Sequence, residues 1–253
     1  MTEELFRHDA TLTECPANVL AVTAQGVLLD RTVFYPLGGG QAGDTGWLLL
    51  ADGGQIAIAD TRKQLDESGA ATGHICHVPA PDQHEPLSGL RPGDAVTARI
   101  DAPRRQRLMR FHTASHLLCH LVGRPVNGCS ITPEHARIDF HMTEPLDKQA
   151  LTDGLARLVA AALPVTVGSV TEAELDANPQ LVKSMSVQPP RGSGVVRTIR
   201  VGGTRDHALI DLQPCGGTHV ASTADIGHVV VSKIEKKSAQ SRRVVLGWGA
   251  QAF

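Results

Sequence analysis

Two pairs of metal-binding side chains share one spacing in the sequence. His112 and His116 enclose the segment HTASH, and Cys215 and His219 enclose CGGTH. Residues four apart on a helix lie on one face with Cβ atoms about 5–6 Å apart, so two imidazoles can reach the same metal ion. One cysteine and three histidines suit tetrahedral zinc. We therefore predict one Zn²⁺ ion per chain, bound by His112, His116, Cys215 and His219.

Other residues of ligand type have simpler interpretations. A single histidine pair at this spacing is more often accidental than a metal site, so the second pair carries the prediction. His120 is turned by about 40° from His116 at 3.6 residues per turn, and we expect it to support the site or to pack. The segment His74–His77 has no partners at a recognisable spacing, and we interpret it as ordinary strand. Cys119 and Cys129 are interpreted as small buried apolar residues.

The elements that must position these residues begin with a strand-rich part. Residues 1–100 contain short apolar runs separated by Gly-Gly, Asp-Gly and Pro-Gly turns. This pattern indicates antiparallel strands that close into a small barrel or sandwich, with few or no helices. Asp101, Ala102 and Pro103 are typical of a helix start, and apolar residues continue at helical spacing to about Val122. The first histidine pair therefore lies on a helix.

The second part of the chain mixes helices and strands. Residues 144–163 have an apolar face typical of a helix, and residues 172–177 are predicted to form a short helix that Pro179 ends. Strands are predicted at residues 165–167, 194–201, 208–212, 227–234 and 242–246. The fold class is thus α+β. We expect an N-terminal small β-barrel domain with a glycine-rich loop over residues 1–100, followed by a zinc-binding two-layer α/β domain with a mostly antiparallel sheet over residues 101–253.

The composition is that of a globular protein without a membrane span. The 253 residues are 42% hydrophobic and 20% charged, and no apolar run approaches the roughly 20 residues that a membrane helix needs. The acidic start Met1–Glu4 does not resemble a signal peptide. Five irregularly spaced cysteines do not suggest a disulfide framework, so we expect the reducing environment of the cytoplasm. Aromatic residues make up only 3%, which argues against stacking of single-stranded bases.

Five segments resemble one known family, and they occur in the family's order. HTASHLL at residues 112–118 and CGGTHV at residues 215–220 resemble the paired zinc signature of the alanyl-tRNA synthetase editing domain and its free-standing AlaX-type relatives. The other similar segments are FYPLGGGQAGDTG at residues 34–46, ARIDF at 136–140, and DIG, KIE and RR within 225–243. The resemblance covers residues 30–247 and is far more specific than either half of the zinc signature alone.

The resemblance implies a zinc-dependent deacylase of mischarged tRNA with an editing domain at residues 101–253. Its reaction is hydrolysis of the ester that joins an amino acid to the terminal ribose. A pocket for alanine excludes serine poorly, whereas a second site that hydrogen-bonds the serine hydroxyl spares the alanyl product. Seryl-tRNA of the alanine tRNA is the expected main substrate, with glycyl-tRNA as a second one. The expected partner is the tRNA acceptor end, bound by a monomer or weak homodimer.

The motifs also assign the site residues. The predicted metal ligands His112, His116, Cys215 and His219 are the predicted catalytic residues. The residues predicted to bind substrate are Gly39, Gly40, Gln41, Asp44, Asn127, Cys129, Gly216, Gly217 and Thr218. Bare glycine backbone can approach phosphate or ribose at residues 38–41 and a developing oxyanion at residues 216–217. The choice of the hydroxyl-recognising residue stays open among Asn127, Cys129 and Ser130.

Charge is unevenly distributed along the chain. The net charge of −2 argues against a general nucleic-acid coat protein. Residues 101–110, 182–205 and 233–243 nevertheless carry 14 basic and only two acidic residues. We therefore expect these segments to frame the site with positive charge and to hold one tRNA end. The residues expected on this face include Arg105, Arg191, Arg197 and Lys236.

Two other functions stay open at this stage. A zinc-dependent hydrolase of a non-tRNA ester or amide would lack the steep salt dependence of phosphate binding. A noncatalytic tRNA-binding module with structural zinc would bind tRNA without deacylating it. Zinc with four tight protein ligands is a structural site, whereas catalysis needs an open position. We expect an open or exchangeable site that contacts the aminoacyl group.

Overall fold

The computed structural model describes residues 1–250 except 187, 190, 193 and 205. The chain divides into two units. Unit 1 comprises Met1–Gly38 and Ala42–Gln106, and unit 2 comprises Gly39–Gln41 and the chain from Arg107 onward. The three residues Gly39–Gln41 thus belong to the same unit as both predicted metal-binding pairs.

Unit 1 is built around a closed barrel. It contains strands β1 (Glu3–Glu4), β2 (Glu14–Thr23), β3 (Gly26–Leu29), β4 (Arg31–Thr32), β5 (Gly46–Leu50), β6 (Gln55–Leu65), β7 (Ala71–Pro79) and β8 (Ala95–Ile100), with the short helix α1 (His84–Gly89) after β7. Six strands close in the order β2-β3-β7-β6-β5-β8. Buried and exposed residues alternate along β2 and β8, so the apolar side chains fill the barrel interior. The predicted small barrel is confirmed.

A long helix carries the first histidine pair, as predicted. Helix α2 (Ala102–Val122) begins after Asp101, whose Oδ1 accepts a hydrogen bond from the backbone N–H of Arg104 at 3.0 Å. All side chains of residues 111–119 are buried, so this part of the helix is enclosed on every face. In the part of the chain that the structure describes, neither this helix nor any other is long and apolar enough to cross a membrane.

The described part of unit 2 contains two antiparallel sheets and two α-helices besides α2. Its elements are β9 (Val126–Ile131), β10 (His135–His141), α3 (Lys148–Ala160), β11 (Val165–Thr171), α4 (Glu172–Ala177), β12 (Val195–Gly202), β13 (Leu209–Pro214), β14 (Val229–Ser238) and β15 (Ser241–Trp248). One sheet has the order β14-β15-β10-β9, and the other has the order β11-β12-β13. The α+β class and the mostly antiparallel pairing are therefore confirmed.

Helix capping and strand pairing explain why the bounds of α3 and β11 differ from those predicted. Helix α3 is shorter than expected because the side chain of Asp147 caps the backbone N–H groups of Gln149 and Ala150. At the other end, Ala162 has a φ of 49°, which is incompatible with a continuing helix. Strand β11 is longer than expected because its whole length pairs with β12, up to Thr171. Thr171 then forms a capping box that starts α4 at its predicted position.

Candidate metal-binding site

The two predicted pairs come together in unit 2. His112 and His116 lie on α2, and Cys215 and His219 lie in the segment between β13 and β14. One potential ligand atom of each residue lies within 4.8 Å of the others. Sγ of Cys215 is 3.5 Å from Nε2 of His112 and 3.3 Å from Nε2 of His219. The three histidines are buried and Cys215 is partly exposed.

Each histidine of the cluster has a different partner at Nδ1. Nδ1 of His112 lies 2.8 Å from Oε1 of Gln41. Nδ1 of His116 lies 2.8 Å from Oδ2 of Asp211. Nδ1 of His219 lies 3.1 Å from Oγ1 of Thr113. Occupied Nδ1 atoms leave Nε2 of each ring for a metal, and such partners fix ring orientation and tautomer in metal sites.

The surroundings of Cys215 and His219 favour the thiolate and the neutral imidazole. Burial opposes ionisation of the Cys215 thiol, but the charges of His112 and His219 and hydrogen bonds from His112 and His116 outweigh it and hold the pKa well below its usual value. The N–H of Gly217 also donates to Sγ at 3.4 Å. For His219, burial and the nearby charge of His112 lower the pKa to about 3. A thiolate beside neutral imidazole is the protonation state in which these groups bind zinc.

The buried carboxylate of Asp211 pairs with His116. Burial lowers the pKa of His116, but its hydrogen bond to Asp211 and its interactions with Cys215 reverse this effect and raise the pKa to about 9. Burial raises the pKa of Asp211, but the hydrogen bond from His116 and the charge of Lys183 bring it down to about 2. In the absence of a metal, therefore, Asp211 is ionised at neutral pH.

Glycine at position 217 is required by the packing of the histidine ring. A Cβ atom there would collide with Cε1 and Nδ1 of His112 and would also lie 2.9 Å from Oε1 of Gln41. The adjacent Gly216 is exposed. Arg197 donates to the carbonyl oxygens on either side of Gly216, at 2.5 Å to Cys215 O and 3.2 Å to Gly217 O. The turn is thus held from both sides while its central residue faces solvent.

Gln41 and Thr218 form a hydrogen-bonded pair next to His112. Both residues are buried. Nε2 of Gln41 donates to Oγ1 of Thr218 at 2.8 Å, and Oε1 of Gln41 accepts from the N–H of Thr218 at 3.1 Å. Together with the contact to His112, these bonds use both ends of the Gln41 amide. Gln41 therefore links Thr218 to His112 through its amide group.

Four further residues of unit 2 were predicted to bind substrate, namely Gly39, Gly40, Asn127 and Cys129. Gly39 is exposed, and Gly40 packs so closely on β9 that a Cβ atom would lie 2.8 Å from Sγ of Cys129. Asn127 and Cys129 are partly buried. Cys129 pairs with the buried Ile138, whereas Ser130 pairs with the exposed Arg137, so neighbouring Cys129 and Ser130 face opposite sides of the sheet. Burial raises the pKa of Cys129 to about 12, which makes it a neutral thiol.

Asp44 occupies a different kind of position from the one predicted. It lies in unit 1, its carboxylate is 1% exposed, and it forms an ion pair with Arg105, which is 3% exposed. Nε of Arg105 donates to both carboxylate oxygens at 3.1 and 3.0 Å, and the backbone N–H of Tyr35 donates to Oδ2 at 2.6 Å. Such a closed set of bonds leaves the carboxylate no free face for a substrate.

One of the four residues expected on the cationic face is buried. Arg105 is buried in its ion pair with Asp44, so its inclusion was wrong. Arg197 donates into the turn that contains Gly216, and Arg191 pairs with Asp176 at 2.8 Å. Lys236 is exposed on β14.

His120 was also wrongly assigned, because it is exposed and neither packs in the core nor supports the cluster.

Three residues near the cluster were missed in the sequence. Thr113 and Asp211 contact cluster histidines, and Lys183 pairs with Asp211. Thr113 follows His112 directly, and Asp211 lies four residues before Cys215 on a predicted strand. These adjacencies are the only signal in the sequence, because each partnership joins segments that are distant along the chain.

Two family models match parts of the chain. Residues 196–245 match the family model described as the threonyl and alanyl tRNA synthetase second additional domain. Residues 6–104 match the model for class II (A) tRNA synthetases. The first matched range contains Cys215 and His219 together with Asp211.

Relatives match over nearly the whole chain. An alanyl-tRNA editing protein AlaX-M from Saccharolobus solfataricus is 31% identical over 96% of this chain and 98% of its own length. A protein of the same name from Methanosarcina barkeri is 32% identical over 96% of this chain and 98% of its own length. The alanine–tRNA ligase of Metallosphaera sedula is 34% identical over 93% of this chain, which matches 25% of that longer enzyme. The chain belongs to the AlaX-M family of alanyl-tRNA editing proteins.

Proposed function

We propose that the chain is a zinc-dependent deacylase that hydrolyses the aminoacyl ester of mischarged alanine tRNA. Seryl-tRNA is its main substrate and glycyl-tRNA a second one, and unit 2 is the two-layer editing domain. The observation that carries the proposal is the convergence of His112, His116, Cys215 and His219 in a member of an editing-protein family.

The residues present fit a zinc ion. Three imidazoles and a thiolate are ligands that zinc prefers, and their candidate atoms lie within 4.8 Å of one another. The Nδ1 partners Gln41, Asp211 and Thr113 leave Nε2 of each histidine available. Zinc held by these four side chains would act as a Lewis acid toward an ester carbonyl or a water molecule.

The protein positions an ester next to this cluster through the turn after β13. Arg197 fixes the carbonyl oxygens of Cys215 and Gly217. Gly216 stands between them, exposed and without a Cβ atom, so its N–H can donate to the oxygen of an ester carbonyl as negative charge develops. The N–H of Gly217 donates to Sγ of Cys215. Gly216 is therefore the better candidate of the two glycines for an oxyanion donor.

Recognition of serine requires a polar group that stays unpaired when alanine is bound. This requirement makes discrimination strong, because the site loses a hydrogen bond with the smaller substrate. Asn127 and Cys129 lie on the strand that packs against Gly40. Ser130 faces the opposite side of the sheet from Cys129. We therefore retain Asn127 and Cys129 as candidates for the hydroxyl contact.

A deacylation assay tests the proposal. Seryl, glycyl and alanyl esters of the alanine tRNA are incubated with the zinc-loaded chain, with and without a chelator. The seryl ester should be hydrolysed fastest, and the chelator should stop the reaction. Equal rates for seryl and alanyl esters would contradict the proposed specificity, and binding of tRNA without deacylation at any metal loading would contradict an enzymatic function.

A matched pair of cysteine variants controls for folding. Cys215→Ala removes a proposed ligand and should abolish deacylation while the fold remains. Cys15→Ala removes a buried thiol in the barrel of unit 1 and should leave the rate per folded molecule unchanged. If Cys215→Ala unfolded the chain, the metal would be structural rather than part of an open site.

A further inference from the structure

Asp211 connects the cluster to a lysine that the proposed reaction does not use. Its carboxylate is fully buried on β13. Oδ2 lies 2.8 Å from Nδ1 of His116 and accepts from Nε2 of Gln213 at 2.8 Å. Oδ1 forms an ion pair with Nζ of Lys183. The carboxylate therefore has donors on both oxygens, and one donor is a ring of the cluster.

Asp211 differs from the partners of the other two histidines in charge. Gln41 and Thr113 are neutral and contact Nδ1 of His112 and His219. A buried carboxylate accepts only, so it can pair with His116 only if Nδ1 carries the proton. A carboxylate behind a histidine ligand also makes the imidazole a stronger ligand. His116 is thus the one histidine of the cluster whose partner, among the described residues, bears a full charge.

Lys183 is placed by backbone bonds that do not involve the cluster. Its carbonyl oxygen accepts from the N–H of Val126 on β9 at 2.8 Å, and the N–H of Met185 donates to Val126 O at 2.8 Å. The Lys183 side chain is 25% exposed, whereas Asp211 is fully buried. The ammonium group is therefore held at the edge of the site, where it compensates the charge of Asp211.

We propose that Asp211 is a positioning residue that holds His116 with Nδ1 protonated and Nε2 toward the metal, and that Lys183 offsets its negative charge. The inference rests on the proposed function only in that the four cluster residues bind the metal. Removing the charge of Asp211 and removing the charge of Lys183 should change the zinc affinity in different directions. Loss of the carboxylate removes the support of a ligand and a negative charge, whereas loss of the ammonium removes a positive charge that repels a cation.

Zinc affinity of two variants tests this difference. The full-length chain is titrated with Zn²⁺ alone in competition with a chromophoric chelator. Asp211→Asn should bind zinc about 10- to 100-fold more weakly than the unmodified chain. Lys183→Met should bind zinc as tightly or more tightly. Asp139→Asn is the matched control, because this carboxylate pairs with Arg243 in the sheet of β10 and β15, and its zinc affinity should not change.

The opposite responses separate positioning from a purely structural ion pair. If Asp211 and Lys183 only stabilised the fold, both variants would lose zinc affinity together, and that result would overturn the proposal. Unchanged affinity of Asp211→Asn would also overturn it. No step of this measurement uses tRNA. A chain that shows the expected zinc affinities but deacylates no ester would refute the proposed function and not the role of Asp211.

Nitrogen NMR of the zinc-loaded, unmodified chain gives a second test that needs no variant. Long-range ¹H–¹⁵N spectra of the imidazole groups distinguish a protonated Nδ1 from a protonated Nε2. His116 should show a protonated Nδ1 in a strong hydrogen bond. A protonated Nε2 at His116 would overturn the proposal even if Asp211→Asn failed to fold.

Discussion

Replacing Asp44 by asparagine should destabilise unit 1 and leave the chemistry intact. Asp44 and Arg105 are 1% and 3% exposed, and the carboxylate accepts from Arg105 and from Tyr35 N–H. The amide oxygen of asparagine can still accept from Tyr35. Arg105 would keep its bonds to Ala10 O at 2.9 Å and Val33 O at 2.7 Å but would lose its counter-charge. An uncompensated buried charge of this kind costs about 3–5 kcal/mol of unfolding free energy.

Urea unfolding of unit 1 measures this cost. Trp47 lies on β5 in the barrel and Trp248 on β15 in unit 2. A Trp248→Phe background therefore makes Trp47 fluorescence a reporter of unit 1 alone. The unfolding midpoint of Asp44→Asn should fall without a change in the slope m. The deacylation rate per folded molecule should equal that of the background chain.

The double variant Asp44→Leu/Arg105→Met provides the control. Apolar replacement of both partners removes the unpaired charge, so the double variant should be more stable than either single variant. Two outcomes would refute the reasoning. One is a wild-type midpoint for Asp44→Asn, and the other is a large loss of deacylation at unchanged stability, which would return Asp44 to the substrate-binding residues.

Three further perturbations have defined outcomes. Burial lowers the pKa of His77 to about 4 in the folded barrel, against 6.5 for the unshifted group. The unfolded state therefore binds more protons between these values, and stability present above pH 6.5 should fall by about 3 kcal/mol as the pH drops toward 4. Urea unfolding midpoints measured across this pH range check the loss of stability. The variant His77→Gln should show a much smaller dependence of stability on pH. Gly217→Ala should lower zinc affinity and deacylation at least about tenfold, because a Cβ atom would displace His112; Gly89→Ala, where nothing lies within 4 Å, is its control. Chelation should stop deacylation but leave the circular dichroism spectrum unchanged, and unfolding would instead indicate a structural metal.

Local patterns predicted the elements well because local forces determine them. The helix with His112 follows from its start at Asp101 and from helical spacing, and α4 follows from a capping residue and a proline. The barrel strands follow from alternation and turn residues. Boundaries were missed at α3, where a local cap at Asp147 starts the helix late, and at β11, where the deciding contact lies far along the chain. Strand β11 extends to Thr171 because β12 pairs with it, and no pattern within β11 itself indicates that length.

The sequence predicts the residues of the metal cluster but not how they come together in space. Spacing predicts that His112 and His116 share a helix face, ligand type and number joined them to Cys215 and His219, and the resemblance to the editing family supported the same set. The convergence of the two pairs in space depends on tertiary packing. The ion pair of Asp44 was not predicted for the same reason. An aspartate beside glycines suits a substrate contact as well as a buried ion pair, and its partner Arg105 lies 61 residues away.

The site is organised so that the protein, and not the metal alone, holds each ligand. Gln41 comes from a three-residue segment that precedes the barrel strand β5, Thr113 from α2 itself, and Asp211 from β13. Each orients one histidine of the cluster through Nδ1. Because these contacts do not use the metal-facing nitrogens, the histidines can keep their orientation when a metal leaves or when one ligand is released to a substrate. A site preorganised in this way would keep its remaining ligands in place if one position opened, and an open position is what ester hydrolysis at zinc requires.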